Sequence, residues 1–90
     1  MTRFQKSLLP INGDVTKIEQ ALDHAFERYG LTVPRCDLIG SAEVEVIVHA
    51  EGRPEFHFHV FFEDIVTRNL AARIDAALRA ALGNHPADVM

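Results

Sequence analysis

The spacing of hydrophobic residues predicts an amphipathic helix in the first third of the chain. It follows Asp14, whose carboxylate suits an N-cap, and it stops at Gly30, which readily adopts the left-handed conformation that ends many helices. The residues of its apolar face recur three and four positions apart and are Val15, Ile18, Leu22, Ala25, Phe26 and Tyr29.

A second amphipathic helix is predicted near the C-terminus. Asp64 or Thr67 is expected to cap it, and Gly83 is expected to end it. Its apolar stripe consists of Val66, Leu70, Ile74, Ala77, Leu78 and Ala81.

Between these helices, residues 43–51 and 55–63 alternate between apolar and polar side chains, as half-buried strands do. One face carries Val44, Val46, Val48 and Ala50 on the first strand and Phe56, Phe58, Val60 and Phe62 on the second. The other face carries Glu43, Glu45, Ile47, His49 and Glu51, followed by Glu55, His57, His59, Phe61 and Glu63. We expect the two strands to form a hairpin connected through Gly52, Arg53 and Pro54.

Two further segments are weaker strand candidates. Residues 4–9 read as a short strand ended by Pro10, and residues 31–39 as an irregular edge strand that turns at Gly40. Residues 1–13 and 84–90 are expected to be flexible. The predicted fold class is α+β, a two-layer sandwich with two amphipathic helices on one face of a small, mostly antiparallel sheet, in the order (β)-α-(β)-β-β-α.

The register of the hairpin determines which outer side chains meet. Burying the valine and phenylalanine faces together requires pairing of equal parity, with Val48 opposite Phe58 and Val46 opposite Val60. The connection then has three or five residues, and the longer one is favoured because Pro54 cannot take the left-handed position of the shorter. This register places His49 directly across from His57, with His59 nearby.

Three histidines on adjacent strands suggest a metal-binding hypothesis. His49, His57 and His59 share one face, and imidazoles on neighbouring strands can converge on one divalent cation such as zinc or nickel, in an arrangement similar to that of the carbonic anhydrases. Two other interpretations stay open. The histidines are polar residues on an exposed face, or they respond to pH, because the ordinary imidazole pKa is about 6.5.

Ile47 and Phe61 interrupt the polarity of the same face and predict an interaction surface. With the aliphatic part of His59 they form a small apolar centre surrounded by charge. A second copy of the chain or another protein would cover it, through this face or through an edge strand, and the N-terminal segment folding back over it would do the same. No cofactor and no catalytic residue is predicted, because the sequence lacks nucleophile, glycine-loop and Cys-x-x-Cys motifs.

Composition limits the class of protein. Ninety residues, 48% hydrophobic and 24% charged, form a single small domain spanning 1–90. The net charge of −4 argues against nucleic-acid binding, and no apolar run is long enough to cross a membrane. The lone Cys36 excludes an internal disulfide and favours a structural thiol in a reducing, cytoplasmic setting.

Two stretches carry family resemblances. The order helix, strands, helix and the run Gly52-x-Pro54-x-x-His57 are similar to double-stranded RNA-binding domains, but the lysine cluster of that family is missing from residues 64–68. The run from His57 to Phe62 and the alanine- and arginine-rich residues 71–79 resemble small proteobacterial proteins grouped as domains of unknown function. The latter resemblance implies no activity. The function predicted from the sequence is therefore a non-enzymatic protein-interaction module, with metal binding as the alternative.

Overall fold

The computed structural model describes residues 2–7, 13–41 and 43–83, in which four strands and three helices follow in the order β-α-β-β-β-α-α. The elements are β1 (Arg3–Ser7), α1 (Gly13–Arg28), β2 (Arg35–Gly40), β3 (Glu43–His49), β4 (Phe56–Phe61), α2 (Phe62–Val66) and α3 (Leu70–Ala81). The predicted α+β sandwich with a mostly antiparallel sheet is confirmed.

The sheet has the strand order β1-β2-β3-β4. β1 runs parallel to β2, and the other two pairings are antiparallel. The strand predicted within residues 31–39 is present as β2, but its predicted position at an edge is wrong, because β2 is paired on both sides. Pro34 causes no break in this interior strand, since it precedes β2 and its carbonyl accepts a hydrogen bond of 3.0 Å from the Arg3 N–H.

One face of the sheet packs against α1 and α3 and forms the core. The strand residues that point to this face alternate with outward-facing residues, as the sequence predicts. Those with no exposed area are Cys36, Leu38, Val44, Val46, Val48 and Val60. The helices contribute Ile18, Leu22, Ile74 and Leu78, which are also fully buried.

Helix α1 begins at Gly13, so the prediction of Asp14 as its N-cap is wrong, and Asp14 is its second residue. The predicted stop at Gly30 is confirmed. Gly30 has a φ of +67°, its N–H donates to the Glu27 carbonyl at 3.1 Å, and the Leu31 N–H donates to the Phe26 carbonyl at 2.9 Å. This pair of bonds is the Schellman motif, which satisfies carbonyls that the end of the helix leaves free.

The first part of the strand predicted at residues 4–9 is confirmed. Arg3–Ser7 forms β1, which pairs with β2. The flexibility of residues 1–13 and 84–90 remains a prediction. Residues 8–12, which include the end of the predicted strand, and residues 84–90 lie outside the described residues.

The predicted second helix is divided in two. Arg68 has a φ of +62°, and the chain turns there between α2 and α3 because the Asn69 N–H donates to the Asp64 carbonyl at 2.8 Å. Asp64 lies inside α2, and Thr67 caps its C-terminal end, so neither starts one long helix. The turn also takes α2 out of phase with α3, which leaves Val66 83% exposed.

Helix α3 keeps only part of the predicted apolar stripe. Leu70, Ile74 and Leu78 are buried, Ala77 is half-buried, and Ala81 is exposed. The predicted end is confirmed, because α3 stops at Ala81 and Gly83 follows with a φ of +81°.

The β3–β4 hairpin has the predicted parity but not the predicted register. Val48 lies opposite Phe56 and Val46 opposite Phe58, a shift of two residues. Such a shift keeps every side chain on its predicted face. The turn accounts for it, since Gly52 has a φ of +75° and the Arg53 N–H donates to the Ala50 carbonyl at 3.4 Å.

No helix within the described ranges is long and apolar enough to cross a membrane.

Two valine-to-alanine substitutions test this arrangement. Val44 is fully buried whereas Val66 is 83% exposed, although both belong to predicted apolar faces. We expect Val44→Ala to lower the free energy of unfolding by about 2–3 kcal/mol and Val66→Ala to change it by less than about 0.5 kcal/mol. Urea unfolding followed by circular dichroism measures both, and equal losses would contradict the division of the second helix.

Candidate functional site

The outer face of the sheet is the face opposite α1 and α3, and it concentrates the titratable side chains. Its residues are Arg35, Asp37 and Ile39 on β2, Glu43, Glu45, Ile47 and His49 on β3, and His57, His59 and Phe61 on β4. They face outward because the residues between them are held in the core. Most of these side chains are half-buried or exposed.

His49 on β3 contacts two carboxylates, one on β2 and one in the segment that joins β3 to β4. Its Nε2 lies 3.1 Å from Oδ2 of Asp37, and its Nδ1 lies 3.5 Å from Oε1 of Glu55. The imidazole therefore stands between two carboxylates that come from different parts of the chain.

His57 also stands between two carboxylates. Its Nε2 lies 3.1 Å from Oε2 of Glu55, and its Nδ1 lies 3.1 Å from Oε2 of Glu45. Glu55 thus contacts both His49 and His57. Together Asp37, His49, Glu55, His57 and Glu45 form an alternating row that we call the imidazole–carboxylate ladder.

The ladder favours the charged form of His57. An imidazolium has two N–H donors and satisfies both carboxylates, whereas a neutral imidazole has one donor and leaves the other carboxylate facing a lone pair. The hydrogen bond with Glu55 raises the pKa of His57 above 6.5, and the contacts with Glu45 add to this effect, so that together they outweigh the opposing effect of desolvation.

Asp37 is held in the ionised form at the other end of the ladder. Desolvation opposes ionisation, but hydrogen bonds from Arg35 and His49 outweigh it and lower the pKa of Asp37 below 3.8. The guanidinium of Arg35 donates to both carboxylate oxygens, from Nε at 3.0 Å and from a terminal nitrogen at 3.3 Å. Asp37 can therefore accept a hydrogen bond from His49 over a wide range of pH.

His59 stands apart from the ladder. Its Nδ1 lies 3.6 Å from Oε2 of Glu43, and it is opposite Glu45 across the hairpin. The prediction that His49 lies directly across from His57 is wrong, because His57 is opposite Ile47. This difference follows from the shift of two residues in the register.

The three histidines do not converge on one point. The nitrogens of His49 and His57 face carboxylates, and no group of three or more histidine, cysteine, aspartate or glutamate side chains in the described part of the chain is arranged to hold a metal ion. Metal binding through His49, His57 and His59 remains a prediction that this geometry does not favour.

The predicted interaction residues Ile47, His59 and Phe61 do not form one apolar centre. Ile47 is opposite His57, whereas Phe61 is opposite Glu43, four positions away along β4. That separation is about 13 Å at the rise of an extended strand. The guanidinium of Arg73 lies 5.2 Å from the centre of the Phe61 ring and covers part of it.

Cys36 is fully buried on the core side of β2. Burial, together with the negative charge of Asp37 and smaller effects of Asp23 and Glu19, raises its pKa to about 12. It is therefore a thiol at neutral pH and not a nucleophilic thiolate.

The structure brings in two acidic residues that the sequence pattern did not assign to sites. Asp37 joins the ladder because β2 is an interior strand beside β3, a placement that the irregular sequence of residues 31–39 does not indicate. Asp64 is only 4% exposed; its Oδ2 accepts a hydrogen bond from the Phe61 N–H at 3.1 Å and forms an ion pair with Arg73, whose Nε lies 2.6 Å away. Asp64 is the third residue of α2 in a capping box that begins at Phe61, but a phenylalanine at the N-cap does not reveal such a box in the sequence.

A separate groove of about 700 Å³ lies between α1 and residues 31–34. Its lining includes Gln20, His24, Phe26 and Leu31. The ladder does not line this groove and lies on an open face instead.

Fold and outer face together define a small α+β domain whose sheet is covered by helices on one side. The chain matches no protein-family model, and a search of curated proteins gives no match either.

The imidazole–carboxylate ladder predicts a raised pKa for His57 that depends on Glu55. We expect its pKa, followed by NMR of the imidazole, to lie above 6.5 in the native protein and to fall towards that value in Glu55→Gln. Glu51→Gln, a change at an exposed position of the same connection, is the matched control and should leave the pKa of His57 nearly unchanged.

The sign of the linked stability change follows from this raised pKa. The contribution of His57 is complete below its unfolded-state pKa and is lost as pH rises through its folded-state pKa. As the pH rises from about 6 to about 8, the free energy of unfolding of the native protein should therefore fall by more than that of the His57→Gln variant. Equal losses in the two proteins would show that the ladder does not retain the proton on His57.

Proposed function

We propose that this chain is a non-enzymatic protein-interaction module whose partner is a second copy of the same chain, bound through the exposed side of its sheet. The observation that carries the proposal is the asymmetry of the sheet. The inner side chains of β2 and β3 have almost no exposed area, whereas the outer face and the strand β4 at the end of the sheet are open among the described residues.

A non-enzymatic role is supported by the state of the reactive side chains. Cys36 is buried with a pKa of about 12, so it supplies no nucleophile. His49 and His57 direct their nitrogens at carboxylates, and no serine or threonine of the described ranges hydrogen-bonds to either ring. A general base needs such a neighbouring proton donor or a substrate pocket.

The outer face and the open edge of the sheet also carry apolar groups that a partner can cover. Ile39 and Ile47 are half-buried on the outer face, and Phe56 and Phe58 are half-buried on the inner face at the edge strand β4. Apolar side chains inside a polar rim are the usual composition of a protein interface.

Sedimentation equilibrium tests this proposal. We expect a reversible dimer between roughly 10 μM and 1 mM, the range in which interfaces of modest affinity assemble. EDTA in the buffer separates direct association from metal bridging through the histidines, and the dimer should persist with EDTA present. A monomer throughout this range would overturn the proposed function.

The position of the interface is a second outcome of the same experiment. On dilution, backbone amide NMR shifts should change in β3 and β4 and stay constant in α1. The variant Val66→Glu tests the rival surface on α2, since Val66 is 83% exposed, and it should leave the dimer intact. Loss of the dimer in this variant would place the interface on the helical side instead.

A further inference from the structure

We infer that the open edge of β4 is the contact between copies, with β4 of one copy pairing antiparallel with β4 of the second about a two-fold axis at Phe58. One continuous sheet then runs through both copies. This inference rests on the proposed function and identifies the strand that performs it.

β4 lies at the end of the sheet that the described residues form and, apart from its histidines, carries none of the residues that usually protect an edge strand. The strand β4, Phe56–Phe61, contains no lysine, arginine, carboxylate or proline. Natural edge strands are commonly protected against pairing by such residues. The opposite edge has this protection, because β1 carries Arg3 and Lys6 within five residues.

A hydrogen bond at the end of β4 shows which backbone groups face the open edge. The Phe61 N–H donates to the Asp64 carboxylate at 3.1 Å and therefore points away from β3. Backbone groups alternate in direction along a strand, so the N–H and C=O groups of His59 and His57 also point away from β3. These are the groups that a second strand can pair with.

The same hydrogen bond selects the register of the pairing. Because Asp64 already occupies the Phe61 N–H, His57 and His59 are the residues of β4 that offer both a donor and an acceptor. Placing His57 opposite His59 of the second copy, and the reverse, forms two hydrogen-bonded pairs with four backbone bonds. Phe58 then faces Phe58 of the second copy in the pair between them.

Side chains on the inner side of β4 gain burial in this register. The rings of Phe56 and Phe58 stack with centroids 6.5 Å apart, and both residues remain half-buried at the margin of the core. Pairing at Phe58 brings the two sets of rings together across the axis. Cross-strand aromatic pairs of this kind stabilise antiparallel sheets.

The charge of the outer face favours the edge over stacking of two outer faces. In a face-to-face dimer, the acidic outer faces of the two copies would be brought together, each with the carboxylates of Asp37, Glu43, Glu45 and Glu55. Like charges brought together in this way destabilise a complex. Edge pairing leaves these carboxylates beside their own imidazoles and in contact with solvent.

Substitutions at His59 test the backbone pairing directly. His59→Pro removes an N–H that points to the open edge. The backbone hydrogen bonds between β3 and β4 do not use this N–H, so the fold should persist while the dimer is lost. His59→Val is the matched control, because it removes the imidazole, keeps the N–H and should remain a dimer. Circular dichroism and urea unfolding verify that both variants fold.

Cysteine crosslinking tests the position of the axis. In Phe58→Cys, the two Cα atoms at the axis would lie about 4.5 Å apart, a separation that a disulfide spans. We expect oxidation to link Phe58→Cys as a dimer and to leave Ile47→Cys unlinked, with no background from Cys36 because that thiol is buried.

The outcomes distinguish failure of the edge contact from failure of self-association itself. Loss of the dimer in His59→Pro but not in His59→Val, with crosslinking at position 58, supports the edge contact. A His59→Pro dimer, or crosslinking at Ile47→Cys in place of Phe58→Cys, overturns the edge contact but leaves self-association through the sheet. A native chain that stays monomeric at all concentrations overturns the proposed function itself.

Discussion

The burial of one sheet face under α1 and α3 is the constraint on which the other features of this molecule depend. Val44, Val46 and Val48 have no exposed area, so each intervening residue of β3 must point outward. The same holds on β4, where Val60 is fully buried and His59 is exposed. The polar arrangement on the outer face is therefore a consequence of the apolar arrangement inside.

The faces of the strands could be predicted from the sequence because alternation in sequence and alternation in space have the same period. The pairing of the strands could not, since shifting Val48 from Phe58 to Phe56 exchanges partners without moving any side chain to the other face. Burial decides which side chains of the two strands point inward. The conformation at Gly52 decides which of the registers that satisfy this condition, two residues apart, is formed. The prediction of His49 opposite His57 is wrong because it chose another of these registers.

The break between α2 and α3 shows a different limit of sequence patterns. Val66 fits the apolar period of α3, and nothing in the composition near Arg68 resembles a helix-ending glycine or proline. The turn is instead held by polar contacts close in sequence, in which the Asn69 N–H donates to the Asp64 carbonyl and the buried Asp64 carboxylate binds both the Phe61 N–H and Arg73. The apolar period along the chain does not record such polar contacts.

The exposed ladder and the buried Asp64 differ in what they contribute to the fold. Hydrogen bonds among exposed side chains such as His57 and Glu55 add little to stability, because solvent screens them and the side chains lose freedom. Their effect is on protonation and on the orientation of the outer face. The ladder is therefore a feature of the surface. The buried residues place its side chains on the outer face, but the core does not depend on the ladder for its stability.

Asp64 connects the core to the surface at the end of β4. It accepts the Phe61 N–H, and this bond ends the open edge of β4 at Phe61, so that among the described residues His57 and His59 are the part of the edge left without a strand partner. Its backbone carbonyl also accepts the Asn69 N–H, which turns the chain between α2 and α3. One buried residue thus sets both where α2 begins and how much of the described sheet edge is left open, and the proposed site of association follows from the way the chain leaves β4.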